Sequence, residues 1–418
     1  MRAPKQFGKN RRLCKMKVGF VLSQPFGYSL GTDVRVRGLI GGLSHLGAEI
    51  HVITPFTENF PDTVENVYLH RISSTCTKLK ISDLAYQVSR RFMTSSIIFR
   101  KVICKESFLH RSAQSLGKGI ESIVNKLDLD VLQAEQQVAS LGCIRVAKEL
   151  RVPVVADFHG IWAEEMVASD VVGYDDACYR ILFDIEREIA CRADAVTVVS
   201  QEMKNYVEKS FTVSGTRIVV IPNATFPRLS QAGFFEDPSK VIHSGTLHPW
   251  ENVELFIQAM PFILKNYSKA KFYLTRKGAK LKKITKLAHS LGVFPQFIWF
   301  DRENDFFEFL ESCDIGVISS TTHIARKMAY PAKLYDYLSV GLPIVANDVG
   351  SWTKIIKENK VGIVTPNSPE AFADGILELL QNPKLLYECA QRGIELVKRE
   401  LNYNASARKL LSLYERLT

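Results

Sequence analysis

The sequence has no long apolar run: none of its hydrophobic stretches reaches the roughly 18 to 20 residues that a membrane-spanning helix needs, which excludes a helical span. No secretory leader is expected in its opening stretch, MRAPKQFGKNRRLCK, which is basic and carries no apolar centre. Residues 1–15 are therefore expected to form a loose arm, with Met16 as a candidate start. The eight cysteines (Cys14, Cys76, Cys104, Cys143, Cys178, Cys191, Cys313 and Cys389) form no CxxC pair. That spacing argues against a zinc site and a disulfide framework, and for buried or idle thiols in a reducing cytoplasm. Repeats, low-complexity tracts and aromatic-basic nucleic-acid modules are missing too, so no nucleic-acid partner is expected, although a net charge of +10 alone would allow one.

What is present is an ordinary globular composition, 46% hydrophobic and 23% charged, in a chain of 418 residues that can bury two full cores. Short β-branched runs alternate with amphipathic segments: VGFVLS (18–23), EIHVIT (49–54), VYLHRI (67–72), DVLQA (130–134), VPVVADF (152–158), AVTVVS (195–200) and RIVVIP (217–222). Residues 227–240, PRLSQAGFFEDPSK, break the rhythm and read as a linker. The alternation restarts with VIHSG (241–245), KFYLT (271–275), QFIWF (296–300), DIGVIS (314–319), PIVAN (343–347) and GIVTP (362–366). The pattern predicts an α/β protein of two Rossmann-like, doubly wound parallel-sheet domains, over 16–226 and 241–400, facing a central cleft. A final helix, 401–418, is expected to return to the first domain.

Open α/β sheets bind ligands outside the carboxyl ends of their strands, so loops there are the candidate sites. Gly27 and Gly31 bracket the loop after the first strand, and His159 follows VADF directly. HSGT (243–246) ends the first strand of the second half. In YPAKLYDYLSVGLPIVANDVG (330–350), Pro331 suits a helix first turn and Gly341 with Pro343 stops it. A helix N-terminus beside strand ends is an anion site, so residues 331–340 read as a phosphate cradle with Asp336 one turn in.

In this order, ADAVTVVS, VIPNA, SGTLHPWENVELFIQA, CDIGVISS and PAKLYDYLSVGLPIVA resemble the nucleotide-sugar glycosyltransferases of family 4, which have the GT-B fold. The resemblance covers about residues 16–418 and implies a UDP- or GDP-sugar donor bound mainly to the second domain. It implies an acceptor on the first domain, transfer with retention of configuration, no bound metal and no cofactor. By resemblance Asp336 holds the ribose hydroxyls, and His159 reaches the donor sugar or its phosphate across the cleft. The donor site implied comprises Gly31, Thr32, Gly245, Thr246, Arg276, Pro331, Ala332, Lys333, Leu334 and Asp336, with His159, Lys333 and Asp336 closest to the chemistry.

The chain departs from the family in two places. The first of the family's two acids falls at Met328, and the arginine and lysine that usually face the diphosphate fall at Thr246 and Glu251. Lys333 is expected to supply the missing counter-charge, with Arg276 or Lys277 as further candidates against a merely solvated role for that pair. The proposed chemistry is a front-face substitution in which a donor phosphate oxygen takes the acceptor proton. Asp128 and Asp130 have a DxD form but precede their strand, so a structural role is expected. Between Lys78 and Lys118, nine lysines and arginines face only Asp83 and Glu106, with Ile97, Ile98, Phe99, Val102, Ile103 and Phe108 interleaved. This suggests contact with an anionic membrane surface from the cytoplasmic side, as a lipid-linked acceptor would require, against a plain packed helix. The departures leave open a second class of function, a silent GT-B partner subunit or nucleotide-sugar-binding protein.

Overall fold

The computed structural model describes residues 16–23, 31–55, 65–72, 106–228, 231–233, 235–294, 297–300 and 306–418. The first sheet is built from β1 (Lys17–Leu22), β2 (Glu49–Thr54), β3 (Val67–Arg71), β4 (Val131–Glu135), β5 (Val154–Phe158), β6 (Ala195–Val198) and β7 (Ile218–Val220). The second comprises β8 (Lys240–His243), β9 (Lys271–Thr275), β10 (Phe297–Phe300), β11 (Ile315–Ile318), β12 (Ile344–Asn347) and β13 (Gly362–Thr365). Their orders are 3-2-1-4-5-6-7 and 10-9-8-11-12-13, and every pairing is parallel. These are two doubly wound halves, as the sequence pattern predicts.

The strands read as apolar runs because helices cover both faces of each sheet. Along β1, Val18, Phe20 and Leu22 pack with the C-terminal helix Tyr403–Leu417, while Val21 points into the opposite cluster with Ile53 and Leu132. Tyr403–Leu417 lies on the helix Gly31–His45. Gly42 permits the approach, since a Cβ there would meet the Tyr403 carbonyl oxygen at 2.7 Å. Three aspartates tie the amino ends of the sheets. The backbone N–H of Lys17 donates to Asp130, that of Val154 to Asp194 and that of Lys240 to Asp314, at 2.7–2.8 Å. Asp130 thus sits at the opposite end of the sheet from the cleft, in the structural role expected of the DxD run.

Two expectations need comment. Cys178 is disulfide-bonded, which corrects the reading of all the thiols as idle; Cys143, Cys191, Cys313 and Cys389 are free. Most of the basic stretch 78–118 lies outside the described residues. Its described end belongs to the helix Glu106–Val124, where Leu109, Ala113, Leu116 and Ile120 are buried in the first domain's core. No helix among the described residues is long and apolar enough to cross a membrane.

Candidate active site

The strand orders reverse direction between β1 and β4 and between β8 and β11, and the candidate residues gather at the carboxyl ends beside those points. In the first domain, register places Glu135 beside Asp157 and Asp157 beside Thr197, so three polar side chains stand in one row across buried strands. Such a buried row requires partners. Arg35, buried on the helix Gly31–His45, grips Asp157 with Nε and Nη2 at 2.9 and 3.0 Å, and the Thr197 hydroxyl donates to Asp157 at 2.6 Å. His159, two residues past Asp157, turns Nε2 back to Glu135 at 2.8 Å and Asp157 at 2.9 Å. Its Nδ1 is buried without a partner, and 13% of the side chain remains exposed.

These contacts fix the charges. Burial alone would lower the His159 pKa, but Asp157 and Glu135 outweigh it and raise it to about 9. Burial likewise opposes ionisation of Asp157, and Arg35 with His159 reverses that, holding its carboxyl far below the ordinary range. Glu135 is pushed up by burial and by Asp157. The ligand atoms of Glu135, Asp157 and His159 lie within 4.8 Å of one another, close enough to hold a metal ion. The donor set fits poorly, because the Arg35 guanidinium already occupies Asp157 and both carboxylates are committed to the imidazolium. The cluster is better described as an internal charge network.

In the second domain the helix Ala332–Ser339 opens at Pro331, as the sequence suggests, with Ala332 exposed at its start and Leu334 buried beneath. Lys333 is nearly buried. Its ammonium donates to Glu251 at 2.6 Å and lies 3.2 Å from His243 Nε2, at the end of β8. Burial opposes ionisation of Glu251, but Lys333, then His243 and Arg326, hold its carboxyl well below the ordinary range. Burial and Lys333 push the His243 pKa down. A Cβ on Gly245 would collide with the Lys333 ammonium, so this glycine makes room for a side chain of the protein itself. Lys333 is therefore not an uncommitted counter-charge, and Glu251 is the reason.

The other expected donor residues are dispersed. Thr246 is half-buried in the loop after β8, which the next loop braces through Leu247 N–H to Lys277 O at 2.8 Å. Arg276 and Lys277 have exposed side chains. Asp336 is buried, 8% exposed, and its charge acts on Arg228 at the crossing between domains and on Tyr403. Gly31 begins the helix Gly31–His45 with Thr32 next to it, and the loop before them lies outside the described residues.

Contacts between the domains converge on the segment before the cradle helix. Met328 is 2% exposed and packs in the first domain's core cluster, and its carbonyl accepts from Ser200 Oγ at 2.6 Å. Arg35 donates to Asn223 at 3.2 Å, and Asn223 donates to the Tyr330 carbonyl at 3.4 Å. The His159 network is thereby joined to the start of the cradle. Tyr174, Tyr179 and Tyr206 all donate to buried Glu164, and Tyr174 also lies 3.2 Å from His323 Nε2. Sequence reading missed Arg35, Glu135, Asp157 and Asn223. The available signal was a carboxylate inside each of the runs VLQAE and VPVVADF, which should be costly unless paired.

Residues 31–225 match the family model Glycosyltransferase Family 4, and residues 228–396 match Glycosyl transferases group 1. An uncharacterized glycosyltransferase of Methanocaldococcus jannaschii is 22% identical over 256 residues, a match covering 58% of this chain and 62% of the relative. Among solved structures, sucrose-phosphate synthase from Thermosynechococcus elongatus superposes with TM-score 0.71 at 16% identity, covering 96% of this chain and 99% of that one. The Anabaena protein HepE, in complex with UDP, gives 0.65 at 14%, covering 96% and 100%. With both domains matched in order and the fold shared end to end, the chain belongs to the family 4 type of glycosyltransferase.

Proposed function

We propose that this glycosyltransferase moves a hexose from a UDP- or GDP-linked donor to a glycan or lipid-linked acceptor, with retention of configuration, in cell-surface polysaccharide or glycoconjugate synthesis. The observation that carries the proposal is a string of charged groups across the cleft. Burial pushes the Glu165 carboxyl of the first domain up against the charges of Arg326 and His159, and Arg326 in turn helps Lys333 hold Glu251 well below the ordinary carboxylate range. A sugar diphosphate needs such a place, where opposed domains supply fixed charges to a leaving group that becomes more negative. The UDP bound by the Anabaena relative supports a nucleotide donor.

In this reading the bond from the anomeric carbon to the phosphate oxygen breaks while the acceptor oxygen bonds on the same face, and a donor phosphate oxygen takes the acceptor proton. His159 offers its unpartnered Nδ1–H to the donor, and Asp336 accepts from the ribose hydroxyls. A thermal-shift screen against UDP, GDP, ADP and their sugar conjugates, with and without EDTA, tests it. A rise with one nucleotide family, unchanged by EDTA, is expected. Neutralisation of Lys333 by Glu251 is what favours the alternative, a nucleotide-sugar-binding shell without transfer. In that case the nucleotide still raises the melting temperature, but no donor is consumed with any acceptor.

A further inference from the structure

The diphosphate invoked above needs a cation that the protein has not already spent. Lys333 is paired with Glu251, and His159 Nε2 is shared between two carboxylates. Arg326 differs from both. Its Nε is buried and has no hydrogen-bond partner, in a side chain that is otherwise half-exposed. An unsatisfied buried donor on a charged group is costly, and an anion with two free oxygens would satisfy it in the forked geometry a guanidinium prefers.

Its position is fixed from both ends of the short helix Ile324–Met328. The His323 ring accepts from Ala325 N–H at 3.2 Å at one end, and at the other Met328 is buried in the first domain with its carbonyl held by Ser200. Arg326 is thereby held between the domains. Its charge acts on Glu165 of the first domain and on His248 and Glu251 of the second, yet among the described residues it forms no ion pair with either carboxylate. We infer that Arg326 binds the diphosphate of the nucleotide donor, delivering from the helix before the cradle the counter-charge that Glu251 removes from Lys333. The inference rests on the nucleotide-sugar reading and deepens it.

Titration calorimetry on the full chain with UDP, GDP, uridine and guanosine tests the two separately. Wild type should bind one diphosphate more tightly than its nucleoside. Arg326→Ala should weaken the diphosphate roughly ten- to a hundredfold and leave the nucleoside within about twofold, with Arg326→Lys in between. If Arg326 only balances Glu165 across the cleft, Arg326→Ala and Glu165→Gln will lower the melting temperature while the diphosphate-to-nucleoside ratio stays at the wild-type value; that result overturns the inference and leaves the donor reading intact. Wild type that binds neither diphosphate overturns both.

Discussion

Replacing His159 by glutamine should change how stability depends on pH, in a direction fixed by the buried network. In the folded protein the imidazolium faces Glu135 and Asp157 and titrates at about 9, against an ordinary value of 6.5 in the unfolded chain. A raised pKa means that folding takes up a proton. Below about pH 6.5 both states hold it and the network's contribution is complete. Between 6.5 and about 9 the unfolded chain releases the proton while the folded one keeps it, so stability falls; above 9 the contribution is gone. The gap between the two values corresponds to about 3 kcal/mol. His159→Gln lacks this dependence, so urea unfolding of the first domain should place wild type well above the variant near pH 6 and bring the two together by roughly that amount near pH 9.5. Histidine ring resonances followed by NMR report the same proton directly. A separation that does not change over this range would refute the charge assignment, and with it the account of Nδ1–H as a fixed donor in the cleft.

Two further substitutions follow from the cross-domain geometry. Lys333→Met leaves Glu251 buried without its cation and should destabilise the second domain by about 3 kcal/mol or more. Lys333→Met with Glu251→Gln should recover most of it, which a double-mutant cycle by denaturant titration reads out. Met328→Glu, which supplies the acid that the family resemblance implies there, would place an unpaired carboxylate in the first domain's core. We expect a loss of several kcal/mol and no gain in donor affinity, measured by melting and calorimetry.

Much of the fold was legible because it rests on local pattern. Apolar runs such as VVADF and IVAN can be stable only as strands covered on both faces, and Pro331 with Gly341 sets the bounds of the cradle helix whatever surrounds it. The placement of His159 past a strand end was legible for the same reason, since strand length fixes where the chain leaves the sheet. Its partners were not. Arg35 lies far from Asp157 in sequence, and the two meet only because Gly31–His45 crosses from β1 to β2 over the face on which register sets Glu135, Asp157 and Thr197 side by side.

Lys333 shows the boundary between the two kinds of information. From sequence it is a cation at a helix start, and no local pattern reveals that Glu251, on a different loop, turns into the same buried space beside Gly245. Met328 is similar: sequence shows an acid missing, whereas packing shows a methionine anchoring one domain in the core of the other. The sequence by itself determined the alternation of strands and helices, the division into two halves and the candidate loops, because these follow from spacing along one chain. Which charges are paired and which remain for a ligand was decided by the tertiary structure, because Coulomb interaction and burial depend on distance in space between residues that the chain separates.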